Sequence, residues 1–224
     1  MKLKTLAAAA LVMCSAAANA NSVVASAATF AGTVIDFNAF DGYYLPQIDA
    51  GSLVTSLDLG SGVTLSTTAF AIVGADNADL NQNGAWTVVG NENRDGNFVS
   101  TAFTNNSGSL TFSFATGMQK VGVFANQFQD EGKPVNSIQV TALDRNGFVL
   151  QTFTANIDTA ADGYDEGMFI GLERSSADIY SFVLTDGSFV VDNLTVSAVP
   201  EPESFAMLLA GLLGVAAAAR RRKA

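Results

Sequence analysis

Apolar and polar residues alternate over short stretches of this chain, and no segment between residues 21 and 199 sustains the 3.6-residue period of a helix. Leu110-Thr111-Phe112-Ser113-Phe114 is the clearest stretch, with three apolar side chains on one face of an extended strand and two hydroxyls on the other. Ile138-Gln139-Val140-Thr141-Ala142 repeats the pattern. Apolar-rich runs at Thr29–Phe37, Leu53–Leu57, Val63–Thr67, Ala69–Val73, Ala85–Val89, Phe98–Phe103, Lys120–Phe124, Phe148–Thr154, Met168–Leu172, Ile179–Leu184 and Phe189–Val196 read as further strands. Asp144-Arg145-Asn146-Gly147 should turn one strand into the next, because an Asn-Gly step between two such runs is a strong hairpin signal. Lys120–Phe124 is expected to pair beside Leu110–Phe114 across Ala115-Thr116-Gly117. Ala75–Gly84 and Asn91–Asn97 read as polar loops. About a dozen short strands at spacings near ten residues describe an all-β fold, an antiparallel β-sandwich or jelly roll. No repeat of fixed period points to a solenoid or propeller.

The two ends follow different rules. Residues 1–20 have a charged start (Lys2, Lys4), an apolar stretch from Leu6 to Met13 and a small-x-small step at Ala18-Asn19-Ala20, the pattern of a secretory signal peptide. At the other end, Val199-Pro200-Glu201-Pro202-Glu203 precedes an uncharged run from Phe205 to Ala219, closed by Arg220-Arg221-Arg222-Lys223. As a helix that run spans about 22 Å, short against a hydrocarbon core of about 30 Å. Ser204 and snorkelling arginines extend it, and the basic residues 220–223 belong on the cytoplasmic side, which places the body outside. So short a transmembrane helix suits transient membrane residence.

The order Pro200-Glu201-Pro202, short apolar helix and terminal Arg220, Arg221 and Arg222 resembles the PEP-CTERM sorting signal. The resemblance covers only the tail, 199–224. It implies recognition by an exosortase, a membrane-embedded transpeptidase, after passage through the secretion translocon. It also implies a place on the surface or in the exopolysaccharide matrix of a biofilm-forming Gram-negative bacterium. The same tail is also named after an ice-binding protein, but no regular Thr-x-Thr ladder occurs here. Ile35-Asp36-Phe37 near one end of the body and Val191-Asp192-Asn193-Leu194-Thr195 at the other resemble, in layout, jelly-roll ectodomains that carry this tail. That resemblance implies first and last strands side by side within a body spanning 21–198.

Charge and missing residue types narrow the chemistry. The chain has 11 basic and 21 acidic residues. Lys2, Lys4, Arg220, Arg221, Arg222, Lys223, Glu201 and Glu203 lie at the ends, which leaves residues 21–199 with five basic against nineteen acidic residues, a net charge of −14. Such a surface argues against nucleic acid and anionic lipid as partners. The chain has no histidine, and its one cysteine, Cys14, lies in the signal region. Ser-His-Asp and Cys-His sites therefore cannot be built in the body.

Asp79-Leu80-Asn81-Gln82-Asn83-Gly84 matches the opening of a calcium loop, with Asp79, Asn81 and Asn83 as oxygen donors, although its twelfth position is Gly90 and not a glutamate. Asp36 and Asp192 form a second calcium candidate through the expected pairing of terminal strands, a position where jelly-roll carbohydrate-binding modules often hold a structural ion. Asp162–Glu166 reads as a solvated acidic turn. For glycan stacking the candidates are Trp86, Tyr43, Tyr44 and Tyr164, in or beside loops, while the sixteen phenylalanines read as core. The expectation is a non-catalytic structural or adhesive sandwich. A calcium-dependent carbohydrate-binding module is the alternative. A glycoside hydrolase would need two carboxylates at a set separation, and no particular pair stands out.

Overall fold

The computed structural model describes residues 22–24, 30–89, 96–103, 108–130 and 137–198. The signal-peptide reading and the tail 199–224 lie outside the described residues, as do Gly90 and most of the second polar loop. The described residues form strands and turns without a helix.

Strands numbered in chain order make two packed sheets. The larger runs β1 (Ser22–Val24), β16 (Met168–Glu173), β13 (Lys120–Gln127), β18 (Phe189–Ser197), β11 (Phe98–Ala102), β8 (Phe70–Ala75), β3 (Tyr43–Leu45), with β2 (Thr33–Ile35) also paired to β18. The smaller runs β15 (Val149–Ala155), β14 (Ile138–Leu143), β17 (Ile179–Thr185), β12 (Ser109–Met118), β7 (Val63–Thr67), β6 (Ser56–Gly60). Every strand pairing is antiparallel. Two hairpins stand outside the sheets: β4 (Gln47–Asp49) with β5 (Ser52–Val54), and β9 (Asn77–Asp79) with β10 (Ala85–Thr87).

The architecture follows from the alternation. Leu110, Phe112 and Phe114 of β12 are buried while the residues between them are half-exposed, and the same holds for Ile138, Val140 and Ala142 of β14. These faces meet Val121, Val123 and Ala125 of β13 in one inter-sheet core. Fully burying each such side chain contributes about 1.5–3 kcal/mol, so the core is the main source of stability. The Asp144–Gly147 turn forms as expected: Asp144 N–H bonds the Phe148 carbonyl at 2.9 Å, and Asp144 Oδ1 accepts the Asn146 N–H at 2.8 Å. Arg174 donates twice to Asp178, at 2.6 and 2.8 Å, and this hydrogen-bonded pairing holds the Asp178 carboxyl below its usual range.

One pairing differs from expectation. β12 and β13 are consecutive but do not form a hairpin; β12 lies between β7 and β17, and β13 lies between β16 and β18 in the opposite sheet. Both strands carry apolar residues for the same core, and facing each other across it buries both faces at once. Alternation is identical in the two arrangements, so it could not separate them. The Thr29–Phe37 run, read as the first strand, forms β2 and does pair with the last strand, Leu194 opposite Ile35 and Val196 opposite Thr33, although β1 precedes it and pairs with β16.

Gln127 breaks the pattern of satisfied polar groups. It is fully buried, it lies two residues beyond Ala125 on the core-facing side of β13, and neither side-chain Nε2 nor Oε1 has a hydrogen-bond partner among the described residues. Desolvation of such a group costs about 1–3 kcal/mol, and an apolar side chain of similar shape avoids it. Gln127→Met is therefore expected to raise the unfolding free energy by roughly 1 kcal/mol or more in denaturant titration of the full chain; a lower midpoint would show that the amide is used in solution.

Candidate functional site

The outer face of the larger sheet is partly covered by the β9–β10 hairpin, which sits in the connection between β8 and β11. Trp86 anchors it. Its ring is fully buried, 5.4 Å and edge-on to Phe98 of β11 and stacked 5.8 Å from Phe124 of β13. Its Nε1–H donates to the Glu166 carbonyl at 2.7 Å. Leu80, Phe30, Phe169 and Val190 complete this second, smaller core. Trp86 thus presents no face to a glycan. Its environment is that of a core tryptophan whose single donor is satisfied.

The hairpin's turn is the segment with calcium-loop spacing. Asp79 is exposed, and its Oδ1 accepts the Asn81 N–H at 2.8 Å, an Asx turn. Asn81 has φ of 56° and donates from Nδ2 to Asp130 Oδ1 at 3.1 Å. Gly84 has φ of 79°, and a Cβ there would stand 2.2 Å from the Gly163 carbonyl oxygen, so the turn requires glycine. Asn83 points the other way. It is buried, and Nδ2 donates to Asn126 Oδ1 (3.1 Å) and to the Gln127 (2.9 Å) and Ile157 (2.8 Å) carbonyls. Its Oδ1 accepts the Thr159 N–H at 3.2 Å. The three side chains therefore do not converge on an ion: Asn83 stitches the hairpin to the sheet beneath it. That is the correction to the D-x-N-x-N-G reading. Asp36 directly follows β2, the strand paired with β18 that carries Asp192, but Asp36 is exposed and Asp192 is fully buried, with Oδ1 accepting the Asn193 N–H at 2.7 Å. Among the described residues no group of three acidic, histidine or cysteine side chains is placed to hold a metal.

The tyrosines separate. Tyr43 packs against the inter-sheet core and its hydroxyl accepts from Gln47 Nε2, so it is structural. Tyr164 is 69% exposed and bridges to Ala85 on β10. Tyr44 is 53% exposed on the outward face of β3, with its ring centroid 5.7 Å from that of Phe70, itself 41% exposed, at a 41° tilt. Phe70 was missed in sequence because both faces of β8 carry apolar residues: Ala71 and Val73 point inward, Phe70 and Ile72 outward.

Beside this pair lies a groove of about 320 Å³ between the hairpin and β11, lined by Ala78, Asp79, Ser100, Ala102, Phe128 and Ser188 among others. Ala102 is directly opposite Phe70 in the β8–β11 register, and Ser100 is opposite Ile72. Opposed side chains sit about 5 Å apart on one face, so the aromatic pair borders the groove across a single strand.

The last strand, β18, ends at Ser197, and Ser197 still accepts the Gln119 N–H at 2.7 Å. Matching begins at the next residue. Residues 198–223 are a PEP-CTERM protein-sorting motif. No curated protein sequence matches the chain significantly. Similar solved structures include the enzymatically active domain of tailspike protein 4 from bacteriophage CBA120 (14% identity, 62% of this chain, 20% of that one, TM-score 0.31). The CBM22-1–GH10 modules of a Clostridium thermocellum xylanase with xylohexaose are similar at 16% identity, over 75% of this chain and 28% of that one, with TM-score 0.36. The CBM22-1 xylan-binding domain of a Paenibacillus barcinonensis enzyme is similar at 12%, over 76% and 97%, with TM-score 0.33. The chain thus spans well under two thirds of the first two, and likeness at this level transfers neither ligand nor activity.

Because Asn83 is spent on the interior, thermal melts of the full chain in millimolar calcium and in EDTA should coincide. A calcium-dependent rise in midpoint, as mass action on a native-state site requires, would contradict this placement.

Proposed function

We propose that this is an exported surface or exopolysaccharide-matrix protein, sorted by an exosortase through residues 198–223, whose β-sandwich serves a structural or adhesive role without catalysis. The observation that carries the reading is the sorting motif beginning one residue after β18 ends. The body is thereby presented to the sorting machinery with no intervening domain. The non-catalytic half of the reading is supported by composition, since without histidine or a body cysteine the commonest base and nucleophile pairs are missing. An adhesive role is supported by the exposed apolar side chains that the fold holds outward, Ile48 and Leu53 paired across the β4–β5 hairpin and Tyr44 beside Phe70. The motif further implies transit of the inner membrane before surface delivery, with Pro200, Glu201 and Pro202 as the sequence that is read and Arg220, Arg221 and Arg222 as the cytoplasmic stop.

Replacing Arg220, Arg221 and Arg222 together by Ala should deplete the protein from the surface and matrix fractions of its own host, measured by fractionation and immunoblot. Unchanged surface delivery would overturn the sorting reading.

A further inference from the structure

We propose that the outer face of the larger sheet, between Tyr44 and the β9–β10 hairpin, binds a neutral polysaccharide. This deepens the reading of the body as a matrix module and rests on it.

The hairpin shields Phe98, Phe124 and Val190 and reaches Ala75 and Ile72 of β8, but it leaves Phe70 at the start of β8 and Tyr44 of β3 open beside the 320 Å³ groove. Neither ring is needed to close a core. A hexopyranose presents a face of C–H groups and a rim of hydroxyls, so it requires an aromatic surface next to hydrogen-bonding groups. The rings meet at 41° and form the side of a shallow V. Tyr44, the more exposed of the two, offers the stacking face.

The groove supplies the polar part. The Ser100 hydroxyl, half-buried on β11, has no hydrogen-bond partner among the described residues and can both donate and accept. Asp79 uses Oδ1 for its own turn, which leaves Oδ2 to accept from a sugar hydroxyl. Ser188 is occupied with the Phe103 backbone and contributes shape rather than bonding. Charge then selects among glycans. A body of net charge −14, with a carboxylate at the groove itself, repels uronate or sulfated chains and leaves neutral ones. Tyr164 lies beyond the other strand of the hairpin and takes no part.

The test is affinity electrophoresis of the full chain in detergent through gels containing dextran, a soluble β-glucan, mannan or alginate. Retardation by at least one neutral polymer is expected, with none by alginate. Tyr44→Ala, Phe70→Ala and Ala102→Trp, the last filling the groove from an exposed position, should each weaken it roughly tenfold or more, about 1.4 kcal/mol. Phe148→Ala, an exposed aromatic at the β14–β15 turn of the other sheet, should leave it unchanged. Retardation by no neutral polymer, preference for alginate, or binding that survives all three groove substitutions would overturn the proposal. Fractionation of Tyr44→Ala in the host separates the two readings: normal surface delivery with lost binding fails neither, whereas normal delivery of a chain that never bound fails only the groove.

Discussion

The two hydrogen-bonding edges of β18 are the constraint on which the body depends. One edge is taken by β13 along its whole length, from Gln127 opposite Phe189 to Lys120 opposite Ser197. The other is shared in succession, by β11 at Val190 and Val191 and then by β2 from Leu194 to Val196. The change of partner coincides with a bulge. Phe124 is opposite Asp192 and Gly122 is opposite Thr195, so Asn193 and Leu194 share the single residue Val123. Asn193 has φ of 52°, a conformation asparagine tolerates better than most residues, and its carbonyl accepts the Thr195 hydroxyl at 3.0 Å. The bend lets β2, from the start of the body, share a ladder with β18, which closes it and runs on to the sorting motif.

A second layer rests on that sheet. Without the β9–β10 hairpin, the outward faces of β11, β13 and β18 would expose Phe98, Phe124 and Val190 to water. Trp86 covers them, and Asn83 locks the hairpin's turn to Asn126, Gln127 and Ile157. Asn126 in turn donates to the Asn83 and Glu166 carbonyls, so the two buried amides satisfy each other and the loop around Glu166. Removing one partner of such a network strands the rest, whereas Gln127, one residue along, has no side-chain bond to lose among the described residues. The hairpin's width decides how much of the sheet stays bare.

Much of this was legible in the sequence. Alternation placed most strands, Asn146-Gly147 placed a hairpin, and the layout of terminal strands placed β2 beside β18. What was not legible depends on relations that a pattern of period two does not carry. The sheet to which β12 and β13 belong is one, since either arrangement buries the same residues. The direction of Asn83 is another: D-x-N-x-N-G describes a tight turn equally well whether its third side chain points to an ion or into a protein interior. Trp86 was read both as core and as a glycan candidate, because the Ala85–Val89 strand lies beside polar loops, and Phe70 was assigned to the core because its neighbours on both sides are apolar. Burial on the outer face of a sheet requires knowing what folds back over it.

The chain therefore joins a sandwich, closed at its seam by β18, to a sorting motif that begins where the seam ends. Intact mass and C-terminal peptide mapping of the protein recovered from the host cell surface test this junction most directly. The account predicts a body complete through Ala198, with a C-terminus near Pro200-Glu201-Pro202 and no peptide from residues 205–224. Surface protein that retains Phe205–Ala219 and the arginine cluster would contradict it and make the tail a plain membrane anchor.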